Sequence, residues 1–250
     1  MTQAPPPSPS PRPAPGAVSV PRRRASTCED CTVRERSACA CLSHAEIGQL
    51  QGLSHPLSFA VRESLFVEGQ RADAIYSLTS GMARLYKLLR DGRRQIVGFA
   101  LPGEVLGFAS TETFAFSADA VTPVVACAFP RSTYLAFVDT RPHLLRRLHE
   151  DTARELALAQ EQMLLLGRRT AEERLVCFLL GMRERWARVG RDSPTVALPM
   201  GRQDIADFLG LTIETVSRGL NRLAREGAIL LVPDGVRLLD GERMARLAAA

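Results

Sequence analysis

Residues 200–227 carry the pattern that most restricts the fold of this chain. They read MGRQDIADFLGLTIETVSRGLNRLAREG. The first half has the apolar spacing of a short helix, and Gly210 follows where helices commonly end in a left-handed cap. Thr212 can then begin a second helix as its N-cap. The residues that face inward on the two helices are Ile205, Ala206 and Leu209, then Val216, Leu220 and Leu223. Two short helices joined by a tight glycine-containing turn predict a helix-turn-helix.

The residues after this motif predict a β-hairpin beside it. Residues 228–232 and 236–239 are largely apolar and flank the turn Pro233-Asp234-Gly235. A hairpin in this position is the wing of a winged helix-turn-helix. Two unrelated core helices are the alternative, but they account for neither the turn nor the hairpin.

Residues 141–166 have a helical period. A heptad seam with two imperfect positions recurs at spacings of four and three, at Leu145, His149, Thr152, Leu156, Ala159, Met163 and Leu166. Such a seam suits either a helix packed on its own domain or a coiled coil between two chains. The length favours a dimer whose seam includes Leu156, Ala159, Met163 and Leu166. A further helix is predicted over residues 169–190, where Thr170 and Glu173 have the spacing of a capping box.

Residues 57–130 have the pattern of β-structure. Short segments rich in branched and aromatic residues, separated by glycine-containing turns, occupy residues 64–67, 74–78, 83–88, 95–100 and 121–129. Closely spaced strands of this kind predict a β-roll or barrel. The turn Arg90-Asp91-Gly92-Arg93 predicts a hairpin. Strands followed by helices place the chain in the α+β class.

Composition excludes several classes of protein. The chain has 250 residues, of which 46% are hydrophobic, so disorder of the whole chain is excluded. Its apolar runs are far shorter than the roughly 20 residues that cross a bilayer, so we expect no membrane span. Residues 1–27 are rich in proline, alanine and serine and predict a disordered tail, not a secretory signal. We therefore expect a cytoplasmic protein. The net charge of +5 is compatible with a nucleic-acid partner.

The clustering of the cysteines is the second specific indication of function in the sequence. Four of the six cysteines lie within residues 28–41, in CEDCTVRERSACAC. In a reducing compartment such a cluster indicates metal binding or redox chemistry. Cys177 lies beside the apolar face of a predicted helix, which indicates a core thiol.

Together these features resemble the Crp/Fnr superfamily of bacterial transcription regulators, and its oxygen-sensing Fnr branch in particular. The resemblance covers residues 28–245, and its most specific stretches are LLLGRRTAEE (164–173), DIADFLGL (204–211) and TIETVSR (212–218). It implies a cyclic-nucleotide-binding-like β-roll, a long dimerisation helix and a winged helix-turn-helix. The implied boundaries are a tail at 1–27, a cysteine segment with β-roll at 28–140, a dimerisation helix at 141–167 and a DNA-binding domain at 168–250.

The resemblance also implies a DNA-reading surface. Glu214, Ser217 and Arg218 match the recognition pattern of the Fnr branch, and positions i, i+3 and i+4 share one helix face. Arginine can bind a guanine edge with two hydrogen bonds, and glutamate can accept from a cytosine amino group. The alternative is a solvated patch with an internal Glu–Arg pair. Further expected contacts, mainly to phosphate, are Arg222, Arg202 and Thr212. The implied target is double-stranded DNA with a TTGAT-N4-ATCAA-like palindrome, bound by a homodimer.

For the cysteines, the resemblance implies a [4Fe–4S] cluster on Cys28, Cys31, Cys39 and Cys127. Cys41 is an extra thiol and leaves the third ligand open between Cys39 and Cys41. A zinc site on the four clustered cysteines, a disulfide switch and a response to nitric oxide remain alternatives. Cyclic-nucleotide sensing is disfavoured because Phe116-Ser117 stands where that branch has an Arg-Ser pair.

Two other functional classes fit less well. The four histidines form no recognisable metal-ligand motif, and the sequence has no nucleophile elbow, P-loop or dinucleotide fingerprint. We therefore expect that the protein is not an enzyme. A ferredoxin-like electron carrier needs cysteines but no helix-turn-helix.

The resemblance also implies that the turn at Asp91-Gly92 contacts RNA polymerase. A plain hairpin without such a contact is the equal alternative.

Overall fold

The computed structural model describes residues 28–108, 111–168 and 170–249. The expected tail at 1–27 lies outside the described residues. The described chain runs in the predicted order: a cysteine segment, a β-roll, a long helix and a winged helix-turn-helix. Its class is therefore the predicted mixture of helix and sheet.

The cysteine segment consists of short 3-10 turns followed by a helix. The turns span Cys28–Asp30, Arg34–Arg36 and Ala38–Cys41, and helix α1 spans His44–Leu53. Helix α1 begins at a capping box, in which the Ser43 hydroxyl accepts from the Glu46 N–H while the Glu46 carboxylate accepts from the Ser43 N–H. This helix was not predicted. Its buried residues are Ile47 and Leu50, too few to give a clear apolar period.

The β-roll is built from two facing sheets. Its strands are β1 (His55–Phe59), β2 (Ser64–Phe66), β3 (Ala74–Ser80), β4 (Ala83–Leu88), β5 (Arg94–Ala100), β6 (Val105–Leu106), β7 (Ser117–Ala120) and β8 (Val124–Pro130). One sheet has the order β1-β8-β3-β6 and the other β2-β7-β4-β5. The predicted hairpin is confirmed, with Leu88 paired to Arg94 across the β4–β5 turn. Strands β1, β6 and β7 were missed.

Aromatic side chains fill the space between the two sheets. The Phe66 and Phe114 rings stack with centroids 4.1 Å apart, and Tyr76 stacks on Phe66 at 5.8 Å. Small residues surround them, among them Ala118 and Ala126, each fully buried. The interior of this β-roll is therefore a packed core of apolar side chains.

Helices connect the β-roll to the C-terminal part. Helix α2 spans Arg131–Asp139, α3 spans Pro142–Arg168 and α4 spans Ala171–Arg188. The predicted capping box at Thr170 and Glu173 is present at the start of α4. None of the helices within the described ranges has an apolar stretch long enough to span a bilayer.

The C-terminal part is a winged helix-turn-helix. Helix α5 spans Arg202–Leu209 and helix α6 spans Ile213–Arg225. Gly210 has a left-handed backbone, φ 62°, and Thr212 caps α6 by accepting from the Thr215 N–H, as predicted. The wing consists of β10 (Ile229–Val232) and β11 (Gly235–Leu238). Strand β9 (Thr195–Ala197) pairs with β11 as the third strand of this sheet, and helix α7 (Gly241–Ala249) follows.

One apolar core continues from the β-roll into the helix-turn-helix. Met82, Ile96 and Phe99 of the β-roll belong to the same buried cluster as Leu179 of α4 and Leu209 of α5. The β4–β5 hairpin thus forms the surface on which the helix-turn-helix packs.

Candidate functional site

Helix α6 presents the three predicted base-reading residues on one accessible face. Glu214 and Arg218 are exposed, and Ser217 is half-buried. Inward residues of α6 such as Val216 and Leu220 are buried beneath them. This division leaves the polar face of the recognition helix available to a major groove.

The ionisation of Glu214 suits its predicted role. Its pKa is lowered by hydrogen bonds from its own backbone N–H and from the Thr212 hydroxyl, and by the charge of Arg218. The carboxylate is therefore charged at neutral pH and can accept a hydrogen bond from a base amino group. Arg202 of α5 donates to the Ser217 hydroxyl at 3.2 Å, which places a second cation at the edge of the same face.

Arg222 has partners inside the protein. Its guanidinium pairs with Glu172 near the start of α4, and its Nε lies 4.0 Å from the Glu226 carboxylate. In the absence of DNA this side chain ties α6 to α4, so a phosphate must compete with Glu172 for it. The predicted phosphate contact stays a prediction.

A groove runs along α6 beyond the predicted residues. It has a volume of about 750 Å³, and its lining includes Thr215, Arg218, Asn221 and Arg225. Asn221 and Arg225 are exposed and follow Arg218 at i+3 and i+7, so they extend its face along the helix. Sequence reasoning missed them, although the helical spacing could have found them.

Four of the cysteines converge on one place in the fold. Cys28, Cys31 and Cys39 of the cysteine segment and Cys127 of β8 line a single apolar cavity of about 30 Å³. Cys127 lies on a strand paired on both sides, opposite Pro56 of β1 and Ser77 of β3. The cavity therefore joins a short irregular segment to a rigid sheet.

Cys41 lies outside this cavity. Its Sγ donates to the Ala38 carbonyl oxygen at 3.2 Å. Burial raises its pKa, and the charged groups that act on it are Arg147, Glu46 and Asp151, whereas the pKa of Cys127 responds to Cys28, Cys31 and Cys39. The geometry groups Cys39, rather than Cys41, with the other three thiols.

Three of the four thiols, those of Cys28, Cys39 and Cys127, have a pKa raised mainly by burial, which favours the protonated form. Burial and the neighbouring thiols raise the pKa of Cys127 to about 12, and burial is the main cause that raises the pKa of Cys39 to about 11. Thiolates would need a bound cation to stabilise them here.

The types of ligand at this cavity favour a bound metal cluster, whereas the volume of the cavity is too small for one. Four soft sulfur ligands are the set that iron–sulfur clusters use. A cavity of about 30 Å³ matches the volume of one water molecule, so a cluster requires the cysteine segment to move outward. Among the described residues, no group of three or more candidate ligands is close enough to hold a single ion.

The cysteine segment also contacts the neighbouring parts of the chain. Ala38, Leu50 and Tyr134 share a buried cluster with Leu144 and Leu148 at the start of α3. A displacement of this segment would therefore act directly on the long helix.

Phe116 and Ser117, which stand where the cyclic-nucleotide branch has an Arg-Ser pair, both make contacts within the protein. The Ser117 hydroxyl is buried and accepts a hydrogen bond from the Glu68 N–H at 3.0 Å. Lys87 lies over the Phe116 ring, 5.5 Å from its centroid. At position 116 the chain offers a phenylalanine ring, and no guanidinium, to a ligand phosphate, so the argument against a cyclic nucleotide still rests on the sequence.

Helix α3 presents part of the predicted dimer seam. Leu156 is 58% exposed, Met163 is 66% exposed, and Ala159 is also exposed. Leu166 differs, because it is half-buried against the core of the DNA-binding domain. The predicted seam is therefore accessible along α3 up to its last turn.

Comparison with known proteins decides the family. Residues 173–247 match the Crp-like helix-turn-helix domain, and residues 56–141 match the cyclic nucleotide-binding domain. The transcriptional activatory protein AadR of Rhodopseudomonas palustris is 52% identical over 231 residues, which cover 90% of this chain and 97% of AadR. This chain belongs to the Crp/Fnr family of transcription regulators.

Further relatives agree with this assignment. The nitrogen fixation regulation protein FixK of Bradyrhizobium diazoefficiens is 48% identical, over 89% of this chain and 94% of FixK. The structure of FixK2 from Bradyrhizobium japonicum superposes with a TM-score of 0.73 at 38% identity, covering 79% of this chain and 98% of FixK2. The chain is thus a DNA-binding regulator of a family that acts as dimers, and the prediction that it is not an enzyme is confirmed.

Proposed function

We propose that this Crp/Fnr regulator is an oxygen-responsive transcription activator that carries a [4Fe–4S] cluster on Cys28, Cys31, Cys39 and Cys127. The observation that supports the proposal is the convergence of these four thiols on one cavity, with Cys41 outside it. A cluster needs one thiolate at each iron. By the resemblance to the Fnr branch, such a cluster is destroyed by oxygen and favours the dimer and DNA binding.

The protein residues supply the link from the thiols to the dimer. Cys127 is fixed by the sheet, whereas Cys28, Cys31 and Cys39 belong to the irregular segment that packs against the start of α3. With a cluster bound, coordination by thiolates from both places would tie this segment to β8, and without the cluster that tie would be lost. Because α3 carries the proposed seam of Leu156, Ala159, Met163 and Leu166, its position sets dimer strength.

The proposed DNA target is a TTGAT-N4-ATCAA-like palindrome. Glu214, Ser217 and Arg218 of each protomer read one half-site, with the two recognition helices about 34 Å apart. The hairpin turn at Asp91-Gly92 is the proposed contact with RNA polymerase. This proposal is supported by the exposure of the turn to solvent. Asp91 stabilises the shape of the turn by accepting a hydrogen bond from Arg93 Nε at 2.8 Å.

The test compares single cysteine variants purified without oxygen. We expect about four iron and four sulfide per unmodified chain, with a visible absorption band that air removes. Cys127→Ser should lose iron and palindrome binding, whereas Cys41→Ser, the matched control, should keep both. Loss in Cys41→Ser with an unchanged Cys127→Ser would contradict the proposal. It would favour zinc on Cys28, Cys31, Cys39 and Cys41 instead.

A further inference from the structure

A network of charged side chains joins the β-roll to the helix-turn-helix. Arg84 of β4 donates through Nη1 to both carboxylate oxygens of Asp204, at 2.8 and 2.9 Å, and through Nη2 to Asp119 of β7 at 2.9 Å. Arg94 of β5 donates through Nη2 to Asp204 at 2.5 Å and to Asp207 at 2.9 Å. Asp204 and Asp207 are more than 100 residues away in sequence from the arginines they pair with, so tertiary structure alone brings them together.

The network is largely shielded from water. Asp119 and Asp204 are each 7% exposed, and the side chains of Arg84 and Asp207 are 13% and 15% exposed. A buried carboxylate without its cation is strongly unfavourable. Undocking of α5 would leave Asp204 without its two cations, so the contact favours a single position of α5 on the β-roll.

Helix α5 connects this network to the DNA-reading face. Asp204 and Asp207 face the β-roll, while Arg202 on the same helix donates to Ser217 of α6. The Phe208 ring adds an apolar contact, with its centroid 5.5 Å from that of Phe99 in β5. The Gln95 side-chain amide also donates to the Asp207 carbonyl oxygen at 2.7 Å.

We propose that Arg84 and Arg94 are positioning residues for DNA recognition, which lock α5 on the β-roll and thereby fix the placement of each recognition helix relative to the dimer axis. Both arginines pair with carboxylates inside this contact, so they would act through α5 and not by a contact of their own with DNA. This inference rests on the proposed dimer seam along α3: if α3 joins the two protomers, the docking of α5 on the β-roll determines the distance and angle between the two recognition helices.

The contact of Arg84 and Arg94 with α5 should control the spacing between half-sites that the dimer prefers. One added base pair moves a half-site by about 3.4 Å along the DNA and rotates it by roughly 34°. A firmly docked domain cannot follow that movement, whereas a released domain can. Weakening the lock should therefore relax the preference for one spacer length and leave the reading of a single half-site unchanged.

The experiment measures binding of anaerobically purified protein to palindromes with spacers of two to six base pairs, and to one isolated half-site. The half-sites are those that the unmodified protein selects from random duplexes, so the result does not depend on the proposed TTGAT sequence. We expect the unmodified protein to discriminate between its best spacer and the neighbouring lengths by about tenfold or more. In Arg94→Ala this ratio should fall below about threefold, with half-site affinity unchanged.

Two further variants make the result decisive. Asp207→Asn weakens the same contact from the α5 side and should give the same relaxed profile. Arg71→Ala is the matched control, because Arg71 is an arginine of the β-roll that is 82% exposed and pairs with Asp73 nearby. It should keep the unmodified profile.

Three outcomes would overturn the proposal. An unchanged spacer profile in Arg94→Ala and Asp207→Asn would show that the contact does not set the geometry. A uniform loss on all duplexes, including the half-site, would show that the contact supports the fold of the helix-turn-helix itself and has no separate effect on half-site spacing. Tighter binding to the best spacer would mean that the contact restrains the DNA-binding domain in an inactive arrangement.

Discussion

Replacement of Arg218 by alanine tests the recognition helix most directly. Arg218 is exposed on α6, and the packing of this helix depends instead on Val216, Leu220 and Leu223, which are buried. The substitution should therefore change the free energy of unfolding by less than about 0.5 kcal/mol. Any larger effect on DNA binding then arises in the complex.

The expected loss of affinity follows from the geometry of a dimer. A bidentate contact between arginine and guanine contributes about 1–3 kcal/mol of discrimination. Each dimer brings two copies of Arg218 to the palindrome, so the total loss should be about 2–6 kcal/mol. That corresponds to a roughly 30-fold to more than 10,000-fold weaker Kd on the specific duplex.

Fluorescence anisotropy with labelled palindromic and scrambled duplexes measures this change. Arg246→Ala serves as the control, since it removes the same charge from an exposed site on α7. Arg218→Ala should bind scrambled DNA nearly as well as the unmodified protein. The base-reading assignment fails if Arg218→Ala keeps full affinity for the palindrome, or if both duplexes lose affinity by the same factor, as expected for a phosphate contact.

Three further predictions concern assembly, stability and thiol chemistry. Met163→Glu places a charge in the proposed dimer seam and should give monomers in anaerobic sedimentation; a persistent dimer would place the interface elsewhere. Leu209 is fully buried, so Leu209→Ala should lower the free energy of unfolding by about 2–5 kcal/mol in denaturant titrations, and a loss below about 1 kcal/mol would contradict the packing of α5. In metal-free protein, the Cys39 pKa of about 11 lies above the value for an unfolded chain, so its thiolate fraction below pH 9 is small. Iodoacetamide should therefore modify Cys39 at pH 8 about tenfold or more slowly in the native protein than in denaturant, with a rate that rises up to about pH 11; equal rates would refute the burial of this thiol.

The sequence alone determined the features that depend on neighbouring residues. Gly210 ends α5 with a left-handed backbone, and Thr212 caps α6, as the local pattern predicted. The capping box of Thr170 and Glu173 was equally readable. Each of these interactions spans a few residues, so the chemistry of a short stretch decides it.

The same local reasoning missed elements whose burial depends on distant partners. Strand β7 (Ser117–Ala120) reads SADA: it lacks the branched and aromatic residues typical of strands, and its polar residues are buried together with its alanines. The sequence likewise predicted that Arg222 contacts a DNA phosphate, whereas in the fold Arg222 forms an ion pair with Glu172 of α4.

Tertiary structure alone decided which chemical groups meet across the chain. The resemblance proposed that Cys127 joins Cys28, Cys31 and Cys39, but the folding of the segment onto β8 is what places these thiols around one cavity and leaves Cys41 outside. The docking of Arg84 and Arg94 on Asp204 and Asp207 has no signature in sequence, because exposed and buried charges look alike there. Periodicity reports which residues share a face, whereas burial and pairing depend on the surface that the rest of the chain brings to that face.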